Sequence, residues 1–369
     1  GRSIAECGAY LYVGVENRDT GAQLWRHLLD AHGDLDPNGS WSHVPAANDG
    51  FGNPNNFFIS DLVLDPLLKN TLYASTINGF EGMELWRISH CDVRHSFDVA
   101  ASVVFNGGWP TGPLPCPLPT IELPSIGRKL SKGKGGNGSK AAKEGGDSTS
   151  IDLCVTNSGI LTLTTVGKAV FVGTLNYIFG ASLFVTFDGE HFLPVFLFGN
   201  GDDRNSYVWA MEEYDGRLYI GTFGRPNLRN LIDIPDDIDI DLDLPSSLSD
   251  IDAQDIGGLL QLLQGLGSAI DLSALPGITG ELGDIDLDVI ADSGEFSLFS
   301  LDPNEYTGDP LHPYEVVTET TDSFGSCFPY GIRTMAVLEN KLVIGSAGAS
   351  SDGGTLVYEG VTHKADEKY

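Results

Sequence analysis

The chain has 369 residues, of which 51 are Asp or Glu and 21 are Lys or Arg, a formal net charge of −30. Such a charge repels a phosphate polymer and argues against nucleic acid as a partner. No uninterrupted apolar run is long enough to cross a membrane as a helix, and the length suits one large core or two ordinary ones.

In chain order the predicted elements repeat. An apolar segment at 4–7 is followed by AYLYVGVEN (9–17), GAQLWR (21–26) and a weaker segment at 41–45. The series returns as 57–64, TLYASTIN (71–78), GMELWR (82–87) and 96–104. It returns again as 160–166, AVFVGTLN (169–176), GASLFV (180–185) and 192–198. A fourth copy holds 207–214, RLYIGTFG (217–224), GEFSLF (294–299) and 314–320, and a fifth holds 332–338, KLVIGSAG (341–348) and GGTLVY (353–358). Runs of Leu, Val, Ile, Tyr and Phe ending in Gly and a small residue suit buried strands, and the Gly-containing break before the next phrase suits a hairpin. Four successive antiparallel strands per repeat is the blade of a β-propeller. The expectation is therefore one all-β domain over 1–369, a five-bladed β-propeller of four-stranded antiparallel blades. Stacked β-sandwiches are the alternative, and they do not require five copies of one phrase.

The pattern LYVGT-x-N, then G-x-ELWR, then W-x-x-V and DGFGNPNN, resembles a group of secreted β-propeller repeats of poorly known function. Blade 1 carries the fullest match, through YLYVGVEN, GAQLWR, 41–44 and 49–56. Blade 2 matches through STIN and MELWR, and blades 3 to 5 drift in the second phrase. TFDGEHF (186–192), and more loosely DPNGSW (36–41), is similar to the Asp-box turn of sialidase-type propellers. That turn joins the third and fourth strands of a blade and implies fold, not catalysis.

Two long insertions interrupt the repeat, at 106–158 and 226–292. One lies between blades 2 and 3 and the other between the second and third strands of blade 4. Both loop classes emerge on the same side of a propeller, so both insertions are expected on one face, where loops carry function. The first is Pro-, Gly- and Lys-rich, and its stretch 128–143, with six cations, has the composition of a flexible linker. The second holds a helix candidate near 253–270, and 232–294 contain fourteen Asp and one Glu without Lys or Arg. The opposite charges motivate contact between the two excursions, within a molecule or between molecules.

Five Cys are present, at 7, 91, 116, 154 and 327, and none forms a CxxC motif. Cys116 and Cys154 flank part of the first insertion and are the expected disulfide, which implies an oxidising, extracellular compartment. A buried free thiol is the alternative for Cys7. The alternating Asp236, Asp237, Asp239, Asp241 and Asp243 are weak calcium candidates. A row of carboxylates along a strand does not converge on one ion as calcium requires, and a solvated acidic face is the alternative. No other cofactor is expected.

The ends of the second strands and the blade-to-blade loops place Glu16, Asn17, Asn78, Asn176, Arg225, Asp203 and Arg204 at the channel mouth. First-strand positions Trp209 and Arg333 are expected to face the channel, as is Arg2. Amides, acids and an indole suit a glycan; the alternative for the repeated Asn17, Asn78 and Asn176 is that they cap turns. A glycosidase needs two carboxylates; Glu16, Asp203 and Glu212 are candidates that no motif selects. The fifth blade lacks an obvious fourth strand, with 362–369 a poor substitute, and an open edge invites a partner or self-association. These features point to a secreted, non-catalytic binding or assembly module. The alternatives are a propeller glycoside hydrolase or glycan-binding lectin, and a structural subunit of an extracellular filament or sheath.

Overall fold

The structure, a computed structural model, describes residues 3–47, 49–79, 81–107, 109–110, 120–123, 149–152, 157–176, 179–224, 295–309, 313–325, 329–348 and 356–360. These residues form strands, turns and short 3-10 segments, with no α-helix among them. Unit 1 is β1 (Ser3–Cys7), β2 (Tyr10–Val15), β3 (Gln23–Leu28) and β4 (Ser42–His43). Unit 2 is β5 (Phe58–Leu64), β6 (Thr71–Ile77), β7 (Leu85–Ser89) and β8 (Ala100–Asn106). Between units 2 and 3, β9 (Trp109–Pro110) extends β8, and β10 (Thr120–Leu123) pairs with β11 (Thr149–Asp152) as a separate antiparallel ribbon. Unit 3 is β12 (Gly159–Val166), β13 (Ala169–Leu175), β14 (Leu183–Thr186) and β15 (Phe192–Phe196). Unit 4 is β16 (Asn205–Tyr214), β17 (Arg217–Gly224), β18 (Leu298–Leu301) and β19 (Val317–Thr320). Unit 5 contributes β20 (Pro329–Leu338), β21 (Lys341–Gly348) and β22 (Val357–Gly360). All pairings are antiparallel, and each repeated segment of the sequence holds a strand. The ribbon of β10 and β11, on either side of 128–143, is an addition that the repeat did not suggest.

Register explains the repeated phrase. Its glycines lie where the next unit packs. A Cβ on Gly14 would stand 2.7 Å from Ile59, one on Gly173 2.7 Å from Val208, and one on Gly221 2.6 Å from Ile332. Each neighbour is a branched side chain on the first strand of the following unit. The next residue of the phrase is a hydroxyl clamp in units 2 to 5. The N–H groups of Glu84, Ser182, Ser297 and Leu356 donate to the hydroxyls of Thr76, Thr174, Thr222 and Ser346 at 2.9, 2.8, 2.8 and 3.0 Å. Unit 1 has Val15 there, and its ladder continues through Val15 opposite Gln23. Thr222 also donates to Asn205 Oδ1 at 2.7 Å and is fully buried. Thr222→Val keeps the shape but leaves the Ser297 N–H without its acceptor. We expect a loss of about 1–3 kcal/mol in unfolding free energy, read from chemical denaturation.

The first strands pack in chain order, β1 on β5, β5 on β12, β12 on β16 and β16 on β20. An apolar cluster fills each junction. Tyr12, Leu24, Ile59 and Leu72 lie between units 1 and 2; Tyr73, Phe105, Val172 and Phe184 between units 2 and 3. Phe171, Val208, Ile220 and Phe299 lie between units 3 and 4, and Ala210, Phe296, Ile332 and Ile344 between units 4 and 5. Aromatic edges reinforce these wedges: Phe105 meets Phe184 at 5.2 Å and Phe192 at 5.4 Å, and Phe196 meets Phe299 at 5.6 Å. The outer faces of the first and last units differ. Ile4 in β1, Leu338 in β20 and Val357 in β22 stay exposed, and β20 does not pack on β1 as the other first strands pack on one another.

One disulfide occurs among the described residues, Cys7 to Cys91. It corrects the reading of Cys7 as a free thiol. β1 ends where the outer turn of unit 2 comes back over unit 1, which brings the two cysteines together across 84 positions. Cys116 and Cys154 lie outside the described residues, as do the helix candidate, 128–143 and 362–369.

Candidate active site

The first strands of units 2 to 5 share an irregularity. Their register slips between Ile59 and Asp61, Ile160 and Thr162, Val208 and Ala210, and Ile332 and Thr334. One residue in each strand is therefore a bulge: Ser60, Leu161, Trp209 and Arg333. Bulges re-aim side chains, and here they do so on the strands that pack against each other along the series. Ser60 and Leu161 are buried, Trp209 is half-buried and Arg333 is exposed. The repeated position thus becomes accessible and polar toward units 4 and 5.

Trp209 sits in an aromatic nest. Its ring lies edge-on to Tyr207 at 5.5 Å and to Phe223 at 4.9 Å, and Tyr207 stacks on Phe223 at 4.1 Å. Gly331 makes the nest possible, because a Cβ there would stand 2.7 Å from the Trp209 ring. The Arg333 guanidinium carbon lies 5.3 Å from the Trp209 ring centre, a cation–π contact. Trp209 and Arg333 are thus brought together.

The connector entering β16 carries the charges at that end of the strand. Arg204 is clamped by Asp202, with Nε 2.9 Å and 3.2 Å from the two carboxylate oxygens and Nη2 2.7 Å from one of them. That bond to Asp202 holds the guanidinium above its ordinary pKa, with Glu295 and Asp203 adding to the effect. Asp203 is half-buried and Glu295 exposed. Glu295 went unnoticed in the sequence, although a signal was there. Aligned through Leu24, Leu85, Leu183 and Leu298, all opposite the same position of the second strand, Glu295 occupies the place of Gly21, Gly82 and Gly180. Those glycines have φ of 98°, 85° and 85°. Unit 4 has replaced a structural glycine by a carboxylate next to a bound arginine.

The other candidates are placed differently. Asn17 Oδ1 accepts the N–H of Asp19 and of Thr20, Asn78 Oδ1 that of Glu81, and Asn176 Oδ1 that of Phe179. Asn78 and Asn176 are fully buried and donate to Asn56 and Asn157 at 3.1 and 3.0 Å. Their side chains tie a turn to the residue that leads into the first strand of the same unit. Glu16 is exposed and pairs with Arg18. Glu212 is pushed above its ordinary pKa by burial and then by Glu213. It lies seven residues along β16 from Asn205, the end that Asp203 precedes, roughly 23 Å at strand rise, too far for the two to act as a glycosidase pair. Arg225, Arg2 and Asp236, Asp237, Asp239, Asp241 and Asp243 lie outside the described residues. Among the described residues no group of three or more His, Cys, Asp or Glu is placed to hold a metal ion.

The turn 186–192 joins β14 to β15. Asp188 Oδ1 accepts the N–H groups of Glu190 and His191 at 2.8 Å each. Burial alone would raise the Asp188 carboxyl; these two N–H groups and the His191 ring at 2.7 Å hold it well below the usual range. It works as a turn brace.

No protein-family model matches the chain, and no curated protein does. Solved structures do resemble it. The periplasmic gluconolactonase of Pseudomonas aeruginosa is 12% identical over 97% of this chain and 69% of that chain, with a TM-score of 0.42. A thermostable family-43 glycoside hydrolase is 8% identical over 98% and 89%, with a TM-score of 0.36. The apocarotenoid oxygenase of Synechocystis is 11% identical over 97% and 56%, with a TM-score of 0.36. The expectation of a non-catalytic binding or assembly module is corrected by this finding. The similar structures named above are enzymes.

Proposed function

We propose that this chain is a secreted glycoside hydrolase built on a five-bladed propeller, with its site where units 4 and 5 meet. One observation carries the reading: the repeat departs from its own pattern in one region. Asp203 and Glu295 flank a clamped Arg204 at one end of β16, while the bulge residues of units 4 and 5, Trp209 and Arg333, are accessible where those of units 2 and 3 are not. A scaffold that keeps its structural positions constant and varies these is varying them for a ligand. Asp203 and Glu295 are the acid and base pair of the proposal, Arg204 a fixed charge beside them, and Trp209 an apolar platform for a sugar ring.

Five sheet units whose first strands pack in order support the blade count. The placement of both insertions on one face follows from that count. The buried Cys7–Cys91 disulfide supports secretion, because such bonds persist in oxidising compartments. The resemblance to secreted propeller repeats and a role for calcium at the Asp-rich insertion belong to the same proposal.

A panel of chromogenic glycosides and natural oligosaccharides tests it. Turnover of at least one substrate is expected, with kcat falling about 100-fold or more in Asp203→Asn and in Glu295→Gln, and KM rising about 10-fold in Trp209→Ala. Binding without turnover across the panel would leave a lectin and sink the hydrolase.

A further inference from the structure

Arg333 has a feature that the hydrolase reading does not use. Arg18, Arg87 and Arg204 face the carboxylates of Glu16, Glu190 and Asp202, and Arg26 is buried against backbone carbonyls. Arg333 is exposed, and among the described residues its contact is with the face of Trp209, not with an acid. Arg217 too meets a hydroxyl, that of Ser300, rather than an acid, but its donors are used there, whereas Arg333 is exposed over the indole. In a chain of net charge −30 the surrounding field disfavours any anion that is not met by a specific cation.

We infer that Arg333, held against Trp209, is a specificity-determining residue for a glycan bearing carboxylates, that is, one containing uronic acid residues. The inference rests on the glycan reading of this site and names its substrate class. The physical fit is direct. A guanidinium presents a planar fork that a carboxylate meets through two parallel hydrogen bonds. The indole lowers the cost of taking the cation out of water while leaving its N–H donors for that partner. Gly331 and Phe223 brace the ring, so the head group is restrained before the ligand arrives and less ordering is needed on binding. A neutral sugar uses the apolar platform alone and gains nothing from Arg333.

Calorimetric titration of the whole chain distinguishes the outcomes. The probes are oligomers of galacturonate, glucuronate and mannuronate, a carboxyl-reduced counterpart of each, and a sulfated galactose oligomer. We expect at least one uronate to bind about 10-fold or more tightly than its reduced counterpart. Arg333→Gln should abolish that preference. Arg333→Lys should keep part of the preference, and added salt should weaken it in the wild type. Equal affinity for uronate and reduced sugar, preference for the sulfated oligomer, no uronate binding, or an unaltered preference in Arg333→Gln would each overturn the inference. The two proposals fail separately. Cleavage of neutral glycosides that ignores Arg333 leaves the hydrolase standing and removes this inference; uronate binding through Arg333 without cleavage does the reverse.

Discussion

Replacing Cys7 and Cys91 together by Ala should lower the unfolding free energy by about 4–5 kcal/mol, the chain-entropy value for a closed loop of this size. The two cysteines are 84 positions apart, so the bond removes a large set of open conformations from the unfolded chain. Both side chains are almost fully buried, and the double substitution also removes their packing against the cluster between units 1 and 2. Calorimetry of wild type and variant, each with and without reductant, reads the effect. The wild type in reductant should approach the variant once the bond is opened. A variant as stable as the wild type would show that the bond contributes nothing to that junction.

Arg26→Ala should cost about 3–5 kcal/mol, the range for leaving buried polar partners exposed to nothing. Arg26 is 1% exposed. Its Nη1 donates to Val93 O at 2.8 Å and to the Tyr12 hydroxyl at 3.2 Å, its Nη2 donates to Arg94 O at 2.9 Å, and its head group lies 4.2 Å from the Tyr10 ring centre. Tyr12 in turn donates to Cys91 O at 2.6 Å. Burial raises the Tyr12 phenol above its ordinary pKa and Arg26 opposes that shift. The guanidinium therefore hangs the outer turn of unit 2 from unit 1, beside the disulfide. Arg26→Met restores the bulk but not the donors, and should recover only the packing part of the loss. Urea unfolding of the two variants measures both losses. A Met variant equal to the wild type would show that packing, not hydrogen bonding, holds the turn.

The strands were legible because their signal is local. LYVG and its relatives are short, apolar and closed by a glycine, and the register shows that the glycine serves the unit that follows. The hydroxyl after it was visible as a recurring Thr or Ser, but its role required knowing that the third strand starts against it. Asn56, Asn157 and Asn205 show what a sequence hides. Each receives a bond from a side chain at the end of the second strand of its own unit, Asn78, Asn176 and Thr222, and only Asn56 and Asn205 sit in similar surroundings along the chain. The pairing of Cys7 with Cys91 was hidden for the same reason: it depends on an outer turn folding back over its neighbour. For the site, Trp209 and Arg333 were readable as first-strand positions, but the bulge that selects them was not, since nothing in VWA or IRT marks an unpaired residue. Glu295 was readable only by aligning the units and noticing a missing glycine.

The hand-over between units runs one way. The N–H of Asn17 donates to Phe57 O, that of Asn78 to Ser158 O and that of Asn176 to Ser206 O, so each sheet is latched by its successor and contacts stay between nearest neighbours. An array of that kind loses order from whichever terminus is held least. The covalent tie and the buried guanidinium both sit at units 1 and 2, while Val357 and Leu338 of unit 5 are exposed. Amide exchange should accordingly be slowest in β2 and β6 and fastest in β21 and β22. Trp209 and Arg333 lie at the yielding end, so a ligand seated there would act as the missing latch and tighten the array from its loose side.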